Sequence, residues 1–399
     1  MINSSFNNLT MQQSNNSPRI ALAHDSLVQQ GGAERVLEDL HEIFLNAPLF
    51  VVVEHKKLKN NYKGWEIHKS FLQFFYNIFS NLQYYILLIP FAVSSLNFKN
   101  FDVVISSSSS WIKNIVVPKK TVHICYCHTP TRFLWSDKDY VKQELPFLLK
   151  PFGFILRMFL VLLRKWDYNG AQRVTHFIAN SKEVQKRIKQ YYNRDSIVIY
   201  PGIDFEFWTK SGQTTVIPES RKLDSGSRAG MTKKGGYFLI AGRLHAHKHN
   251  ELIIEIFNEL GLPLHVVGTG RQEQYLKSIA KSNIVFYGRV SDEELRDQYS
   301  GARGFIYPQI EDAGLMPLEA AACGTASIGI AKGGSLETII PGVTGELFSE
   351  YNKEKIKHIV QNWDEKKYLL SNLRNHASKF TKKEFKKKIQ DFIFSKINS

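Results

Sequence analysis

The sequence predicts an α/β protein of two Rossmann-like domains that face a cleft, and three observations lead to this expectation. Short apolar runs alternate with segments of helical periodicity, as in parallel sheets covered by helices. Most of these runs end in glycine or small polar residues, which suits a ligand-binding edge at the carboxyl ends of the strands. The alternation starts twice within 399 residues, a length that holds two domains of ordinary size.

The first domain is expected over residues 18–203, after a tail at 1–17 that is rich in Asn, Ser and Gln and is expected to be disordered. Gly31 and Gly32 follow the first strand and precede a helix, so the backbone can approach a ligand closely there. The aromatic-rich residues 64–98 predict helix. The strands of this domain are expected at residues 19–24, 49–53, 102–105, 123–127, 175–179 and 197–200.

The second domain is expected over residues 237–378, after a linker and loop insertion at 204–236. Ser291 and Glu294 have the spacing of a capping box, which predicts a helix N-terminus within this domain. Residues 379–399 predict a last helix that could cross back to the N-terminal domain. The strands are expected at residues 237–241, 264–267, 284–286, 304–307 and 326–329.

Composition limits the class of function. The formal net charge of +15 allows nucleic acid or an anionic membrane surface as a partner. No helix-turn-helix, zinc or RNP-like motif supports nucleic acid. The 3 cysteines form no disulfide framework, and no apolar leader or run of about 20 apolar residues is present. We therefore expect a cytoplasmic protein without a signal peptide or a transmembrane helix.

Residues 145–189 combine many Lys and Arg residues with aromatic side chains such as Phe152 and Trp166. On amphipathic helices this combination suits a membrane interface, which would place the protein peripherally on the inner face of the cell membrane. An equally good interpretation is a core-facing apolar stripe with a basic, solvated back.

The segment with the clearest chemistry is EDAGLMPLEAAACG at residues 311–324. It follows an apolar strand, and Pro317 suits the first turn of a helix. A helix N-terminus presents unpaired N–H groups and partial positive charge. The N–H groups of Gly314, Leu315 and Met316 therefore predict an anion site, especially for phosphate.

Glu311 and Glu319 flank this anion site with seven residues between them. A carboxylate repels phosphate but accepts hydrogen bonds from sugar hydroxyls, so Glu319 could bind a ribose and Glu311 a second sugar. The alternative is that Glu319 complements the helix dipole and that Glu311 is solvated. On spacing alone the two interpretations have similar weight.

Two cations, Arg243 and Lys248, follow another strand end in GRLHAHK. Arginine binds phosphate through a bidentate fork and lysine acts as a point charge, so the pair could neutralise a diphosphate together with the helix N-terminus. His128 also follows a strand, in CYCHTPTRFLW. A lone histidine is more often packed or at the surface than functional, but its place at a strand end favours a role.

These motifs resemble those of retaining, nucleotide-sugar-dependent glycosyltransferases of family 4, which have the GT-B fold. The E-x7-E segment matches over EDxGLxPLEAxACGT, and GRL-x-x-x-K matches at the two cations. The resemblance extends from residue 19 to about residue 348 through HDSLVQQGGAERVLE, FIANSKEVQKRI and FYGRVSDEEL. It is strongest to bacterial mannosyltransferases that build O-antigen and other surface polysaccharides.

The resemblance implies roles for the residues at the strand ends. Arg243 and Lys248 would bind the donor diphosphate, and His128 would contact the donor sugar near its 6-hydroxyl. Gly31 and Gly32 would lie at the same donor site. The implied reaction is a front-face transfer of mannose from GDP-mannose to a lipid-linked oligosaccharide, in which the leaving phosphate takes the acceptor proton.

No metal and no cofactor are expected. Asp137 and Asp139 have the DxD pattern of a metal site in other glycosyltransferases, but they lie in a charged loop, and two cations already serve the diphosphate. Ala313 stands where the family has a bulky residue and His249 where arginine is frequent. These departures leave open another UDP- or GDP-linked donor. A nucleotide-sugar epimerase of GT-B architecture and a basic nucleic-acid-binding protein are the rival functions.

Overall fold

The computed structural model describes residues 18–136, 153–210 and 236–397. Within these, the chain divides into two α/β units. The first contains the residues up to 178, 191–194 and those from 390 onward; the second contains 179–190 and 195–389. The predicted tail at 1–17 and most of the predicted insertion at 204–236 lie outside the described residues.

The first sheet has seven strands in the order β3-β2-β1-β4-β5-β6-β7. Strands β1 to β5 pair in parallel, with His24 opposite Ser107 in the pairing of β1 with β4. Both faces of β1 and β4 are buried, and their sequences, IALAH and VVISSS, contain only apolar and small or weakly polar residues apart from His24. The strands are β1 Ile20–His24, β2 Leu49–Val51, β3 Ile67–Lys69, β4 Val103–Ser108, β5 Val122–Cys127, β6 His176–Ala179 and β7 Ser196–Val198.

Seven α-helices lie between residues 18 and 210 of the described chain. The first forms where predicted, because Val36, Leu37 and Leu40 recur at helical spacing and bury one face. The helices are α1 Gly32–Ile43, α2 Leu72–Tyr76, α3 Ile89–Ser94, α4 Arg132–Trp135, α5 Gly153–Arg173, α6 Lys182–Tyr192 and α7 Phe205–Thr209.

The expectation of helix throughout residues 64–98 is wrong. Ile67–Lys69 forms the edge strand β3, because it can complete the hydrogen bonding of β2 on that side. The rest is helical only in short pieces, since polar residues interrupt the period; Asn81, for example, accepts a hydrogen bond from the Gln83 N–H at 3.0 Å and starts a 3₁₀ turn over Leu82–Tyr85.

The second sheet has six strands, all parallel, in the order β10-β9-β8-β11-β12-β13. Five of them lie where the sequence predicts strands, and the short β13 was not predicted. The strands are β8 Tyr237–Ala241, β9 Leu264–Val267, β10 Ile284–Gly288, β11 Ala302–Tyr307, β12 Ser327–Ile330 and β13 Gly345–Phe348.

The helices of the second unit cover a core that includes Phe238, Phe257, Phe305 and Leu318. The predicted capping box is confirmed: the Ser291 hydroxyl accepts from the Glu294 N–H at 3.1 Å, and the Glu294 carboxylate accepts from the Ser291 N–H at 2.8 Å. The helices that follow β8 in the chain are α8 Asn250–Leu260, α9 Glu273–Ile279, α10 Asp292–Gly301, α11 Leu315–Ala322, α12 Ser335–Thr338, α13 Lys353–Gln361, α14 Leu370–Ala377 and α15 Lys382–Ile397.

A buried ion pair ties α5 to the loops after β4 and β5. Lys113 and Asp167 lie 2.5 Å apart, and both side chains are almost completely buried. Asp167 also accepts from Trp135 Nε1 at 2.8 Å and from the Tyr192 hydroxyl at 2.7 Å. Because every one of these partners satisfies the buried carboxylate, the network specifies one packing of α5 against the sheet.

Among the helices of the described residues, none is both long enough and apolar enough to cross a bilayer. Cys125, Cys127 and Cys323 are all buried, and none of the three forms a disulfide.

Each sheet reverses its strand order at one place, between β1 and β4 in the first and between β8 and β11 in the second. In open parallel sheets, the loops at the carboxyl ends of the strands beside such a reversal form a crevice for ligands. Gly31 and Gly32 follow β1, Arg243 and Lys248 follow β8, and Glu311 follows β11. Most of the predicted site residues therefore lie at these two places.

Candidate functional site

In the second unit, the loop after β8 is held by direct backbone contact with the loop after β9. Gly268 has a φ of +125°, and a Cβ at that position would overlap the carbonyl oxygen of Gly242. A Cβ at Gly270 would overlap the carbonyl of Leu244 in the same way. The Leu244 N–H donates to the Thr269 carbonyl at 2.9 Å. These contacts fix the backbone on both sides of Arg243, whose side chain is exposed.

Lys248 lies at the end of the same loop, in a 3₁₀ turn over Ala246–Lys248. Only 2% of the residue is exposed, and its ammonium forms an ion pair with the Glu311 carboxylate. The structure therefore brings together two predicted site residues that lie 63 positions apart in the chain. Because Lys248 is buried and paired with a carboxylate, it is not a solvated surface charge.

The predicted anion site at the start of α11 has the expected backbone. Gly314 is the N-cap and adopts the left-handed conformation, with φ 64° and ψ 47°, and the helix starts at Leu315. The N–H groups of Leu315 and Met316 lie in the first turn, where an α-helix offers no internal acceptors. Pro317 is the third residue of the helix, in the turn where a missing N–H does no harm.

The loop before α11 is positioned by a second pair of glycines. Gly334 donates its N–H to the Glu311 carbonyl at 2.7 Å, and a Cβ on Gly334 would lie 2.5 Å from the carbonyl carbon of Ala313. Gly333 has a φ of +61°, and its Cβ would lie 2.5 Å from the Glu311 carbonyl oxygen. Any side chain at these two positions would push the loop that carries Glu311 away.

The two carboxylates of the E-x7-E segment lie in different environments. Glu319 is buried in α11, with 5% exposed, whereas the Glu311 side chain is 30% exposed. The alternative interpretation, in which Glu311 is only solvated, is therefore wrong, because Glu311 pairs with Lys248. A buried carboxylate such as Glu319 requires hydrogen-bond donors, which is the property expected of a ligand-binding acceptor or of a structural one.

Asp312, next to Glu311, was not singled out from the sequence. It accepts from Arg187 Nη1 at 2.5 Å, and Arg187 is oriented by Glu183 at 3.0 Å one turn earlier on α6. Both partners belong to the second unit. No local signal in the sequence connects α6 with this loop, because the residues are 125 positions apart.

His249, which stands where the resembling family often has arginine, adopts a left-handed backbone with φ 56°. Its ring stacks on Tyr351 with 3.6 Å between the ring centres and 25° between the planes. Burial lowers the pKa of His249, with a further contribution from Lys332. Arginine can also stack on an aromatic ring, so the position accepts either flat side chain against Tyr351.

In the first unit, Gly31 is the N-cap of α1 and Gly32 is its first residue. A Cβ on Gly31 would lie 3.2 Å from Glu34 Oε2, so a larger residue would crowd this carboxylate. Glu34 lies in the first turn of α1, where its charge complements the helix dipole, and only 4% of it is exposed.

His128 follows β5 and is the end of a buried chain of polar side chains. Its Nε2 lies 2.8 Å from the Ser107 hydroxyl, which lies 3.1 Å from Nδ1 of His24. Nε2 of His24 is 3.8 Å from Glu34. Burial, helped by the nearby His24, lowers the pKa of His128 to about 3. His128 is therefore neutral at physiological pH and can exchange hydrogen bonds with a sugar hydroxyl without adding charge.

Asp25, one residue after β1, is a structural residue of this edge that the sequence did not reveal. Its carboxylate accepts four backbone N–H groups, from Ser109 at 2.5 Å, Ser110 at 2.9 Å, and Trp111 and Ile112 at 2.8 Å each. The serine-rich run after β4 therefore folds around one carboxylate, which fixes the loop next to Ser107 and His128.

No group of three or more His, Cys, Asp or Glu side chains in the described ranges is arranged to hold a metal ion. Asp137 and Asp139, with the DxD pattern, lie outside the described residues.

Two family models match the chain. One, described as glycosyl transferases group 1, matches residues 227–384, and the other, glycosyltransferase family 4, matches residues 30–207.

A D-inositol 3-phosphate glycosyltransferase of Geodermatophilus obscurus is 25% identical over 228 residues, 51% of this chain and 49% of that protein. A GDP-mannose-dependent monoacylated alpha-(1-6)-phosphatidylinositol monomannoside mannosyltransferase of Corynebacterium glutamicum is 30% identical over 108 residues, 24% of this chain and 28% of that protein. The chain thus spans at most about half the length of these curated relatives.

Solved structures resemble the chain over nearly its whole length. Anabaena Alr3699/HepE in complex with UDP-glucose has a TM-score of 0.66 at 17% identity, covering 94% of this chain and 99% of that one. WaaG, a glycosyltransferase involved in lipopolysaccharide biosynthesis, has a TM-score of 0.63 at 14% identity, with 94% and 99% covered. At these identities the likeness establishes the fold, which is the predicted GT-B arrangement of two parallel-sheet α/β domains.

The neutral state of His128 makes a prediction about the pH dependence of folding. The pKa of His128 is about 3 in the folded protein against an ordinary value of 6.5, so its contribution to stability is complete above pH 6.5 and is lost as the pH falls toward 3. At pH 5 the unfolded state takes up a proton on His128 that the folded state does not. We expect this uptake to lower the free energy of unfolding by about 2 kcal/mol relative to pH 7. Urea unfolding of the wild type and of His128→Gln at both pH values measures this difference.

His123 provides an internal comparison, because it is also buried, pairs with Ser106 at 2.8 Å and has a pKa lowered to about 3 by burial. His123→Gln should reduce the loss of stability at pH 5 in the same way. Equal pH dependence in the wild type and in His128→Gln would contradict the neutral, buried state of His128.

Proposed function

We propose that this chain, a glycosyltransferase of family 4 with the GT-B fold, transfers a hexose from a nucleotide sugar to an acceptor hydroxyl with retention of configuration. The observation that carries the proposal is the cluster at the carboxyl edge of the second sheet. There, the buried Lys248 pairs with Glu311, Arg243 extends from a rigid loop, and α11 begins at Gly314. Cations, a helix N-terminus and carboxylates together fit the diphosphate and the hydroxyl groups of a nucleotide sugar.

In the proposed mechanism, the bond between the sugar C1 and the diphosphate oxygen breaks, and the electron pair leaves with the diphosphate. Arg243, Lys248 and the N–H groups of Leu315 and Met316 stabilise the charge that develops on it. The acceptor oxygen forms its bond to C1 on the same face, and its proton passes to the leaving phosphate. The chain's own groups bind and orient; the leaving group serves as the base.

The remaining residues of the site would orient the sugar. Glu311 would accept hydroxyl groups of the transferred hexose, and Glu319 those of the ribose, because a carboxylate accepts and does not donate. His128, neutral and held through Ser107, would bind the sugar without attracting the diphosphate. Gly31 and Gly32 would let the donor lie against the start of α1.

The donor we propose is GDP-mannose. The mannosyltransferase of Corynebacterium glutamicum supports this choice, since its name specifies GDP-mannose and the matched stretch is 30% identical. The structure of HepE was solved with UDP-glucose, which supports a UDP-linked hexose as the alternative. An epimerase of the same architecture would use the same donor site without an acceptor.

The acceptor we propose is a lipid-linked oligosaccharide of bacterial surface polysaccharide synthesis, reached from the cytoplasmic face of the inner membrane. The net charge of +15 supports an anionic membrane as a partner, and no nucleic acid is proposed. The basic stretch at 145–189 is one candidate for the contact. Its first residues lie outside the described ranges, and α5 within it exposes Met158, Val161 and Leu162.

The donor prediction concerns nucleotide choice. Isothermal titration should show that GDP binds more tightly than UDP. In an activity assay, mannose should be transferred from GDP-mannose to a lipid-linked acceptor extracted from membranes. A clear preference for UDP would replace the proposed donor while leaving the transferase itself in place. Turnover of the donor to an epimer without any acceptor would instead favour the epimerase.

The site prediction separates three roles by kinetics. Arg243→Ala should lower kcat by about 100-fold or more and weaken donor binding, because the leaving group gains charge along the reaction. Glu311→Ala should act mainly on kcat, and Glu319→Ala should raise KM more than it lowers kcat, since a ribose contact changes little during transfer. Steady-state kinetics of the three variants, with circular dichroism to confirm folding, provide the measurement.

Arg19→Ala is the matched control for Arg243→Ala. Arg19 is exposed and precedes β1, at the edge of the first sheet that is opposite to the carboxyl ends of its strands. It should leave kcat and KM unchanged. Near-normal turnover in folded Arg243→Ala and Glu311→Ala variants would show that the assigned site is wrong.

The glycine prediction tests whether the loop of Glu311 must be held where it is. Gly333 and Gly342 both have positive φ, 61° and 75°, but only at Gly333 would a Cβ meet the Glu311 carbonyl; at Gly342 nothing lies within 4 Å. The left-handed backbone should cost each Gly→Ala variant about 1 kcal/mol of stability, and the contact with Glu311 should add to that cost in Gly333→Ala. Only Gly333→Ala should also weaken GDP binding in titration, and equal binding by the two variants would contradict this.

A further inference from the structure

The first unit carries an exposed apolar surface on residues 71–91, which we name the aromatic face. Phe74, Phe79 and Phe91 are 69%, 63% and 66% exposed, and Ile78 and Leu87 are also exposed. Side chains of this size and number, on one short segment, exceed the scattered apolar residues that every protein surface carries. Exposed apolar patches of this kind mark interaction sites on proteins.

The aromatic face belongs to a firmly packed part of the unit. Leu72 and Tyr76 on α2, and Ile89 and Val93 on α3, are buried in one core cluster with residues of β2 and β4. The Tyr85 hydroxyl donates to the Phe75 carbonyl at 2.8 Å and closes the intervening turn onto α2. The segment has a buried side and an exposed side that are both apolar, so burial in the core does not explain the exposed side.

Charge distinguishes the aromatic face from its border. The 29 residues from Ser70 to Phe98 include no Asp, Glu, Lys, Arg or His. Before this segment, the 3₁₀ turn over Lys56–Tyr62 exposes Lys56, Lys57 and Lys59.

The three exposed lysines, Lys56, Lys57 and Lys59, form a basic border that adjoins the aromatic face. Lys56 lines the same depression as Asn77 and Ser80 of the aromatic face. The neighbouring acid Glu54 is buried and paired with Lys69 at 2.6 Å, so it does not cancel the exposed lysines.

We propose that the aromatic face inserts into the interfacial layer of an anionic bilayer, with Lys56, Lys57 and Lys59 at the lipid phosphates. Phenylalanine and tyrosine without nearby charges suit the boundary between headgroups and acyl chains, and a basic border suits an anionic surface. The occupant we propose is a bilayer and not a protein, because the three charged side chains exposed on the border are all lysines, which match the single sign of charge on an anionic lipid surface. The proposal rests on the proposed function in one respect: membrane binding would bring the enzyme to its lipid-linked acceptor.

The test is cosedimentation of the full chain with vesicles of phosphatidylcholine and phosphatidylglycerol, in the absence of sugar nucleotide. The wild type should bind, less so as salt rises, and less to pure phosphatidylcholine. The triple variant Phe74→Ser, Ile78→Ser, Phe79→Ser should bind about tenfold more weakly or worse at every salt concentration, because the lost area is apolar. All three side chains are exposed, so the fold should survive, and circular dichroism checks this.

A matched control removes equally exposed apolar side chains elsewhere. Leu45, Val116 and Leu369 are 69%, 53% and 59% exposed, and their joint change to serine should leave vesicle binding at the wild-type level. A second variant, Lys56→Gln, Lys57→Gln, Lys59→Gln, should flatten the salt dependence. Its control changes three exposed lysines of α15, Lys383, Lys387 and Lys388, to glutamine.

The outcomes separate the possible occupants. Unchanged vesicle binding by the Phe74 triple variant would overturn the proposal, and so would a wild type that binds no vesicles. Loss of binding only when Met158, Val161 and Leu162 of α5 are changed to serine would assign the membrane to the basic stretch instead. If the wild type is a dimer and binds no vesicles, and if the Phe74 triple variant is a monomer, the aromatic face binds a second copy of the chain instead. Since no sugar is present, vesicle binding can stand even if the proposed transfer reaction fails.

Discussion

The candidate site of the second domain depends on one constraint: its loops touch each other backbone to backbone. At Gly268 and Gly270 there is no room for a Cβ against the loop of Arg243, and at Gly333 and Gly334 there is none against the loop of Glu311. Contacts of this kind leave no intervening side chain that could change rotamer. The charged groups of the site are therefore placed by the rigid ends of the sheet, which is the preorganisation that charge stabilisation in a reaction requires.

The first domain buries polar side chains at the carboxyl edge of its sheet. The Ser107 hydroxyl joins His24 to His128 by hydrogen bonds, and the nearby Asp25 holds the adjoining loop through four amide groups. Hydrogen bonding of this extent lets a histidine remain buried and uncharged.

The parts of the fold with local causes could be predicted from the sequence. Periodicity located most strands, the Ser291 capping box marked a helix start, and glycine with proline marked the N-terminus of α11. Strand β3 was missed because Ile67–Lys69 is a strand only through its pairing with β2. The pairing of Lys248 with Glu311 and that of Arg187 with Asp312 were missed for the same reason, since each joins residues far apart in the chain. The amides that Asp25 accepts leave no mark in a run of serines.

The ion pair between Lys248 and Glu311 has a consequence for how the protein completes a cycle. The Glu311 carboxylate neutralises the buried ammonium of Lys248 within the protein itself. If Lys248 takes the diphosphate as proposed, the same carboxylate becomes a built-in competitor for it. It weakens the hold on the spent nucleotide and offers the lysine a partner when that nucleotide departs. Product release, which often limits enzymes that bind highly charged leaving groups, would then be assisted by a residue that also orients the sugar.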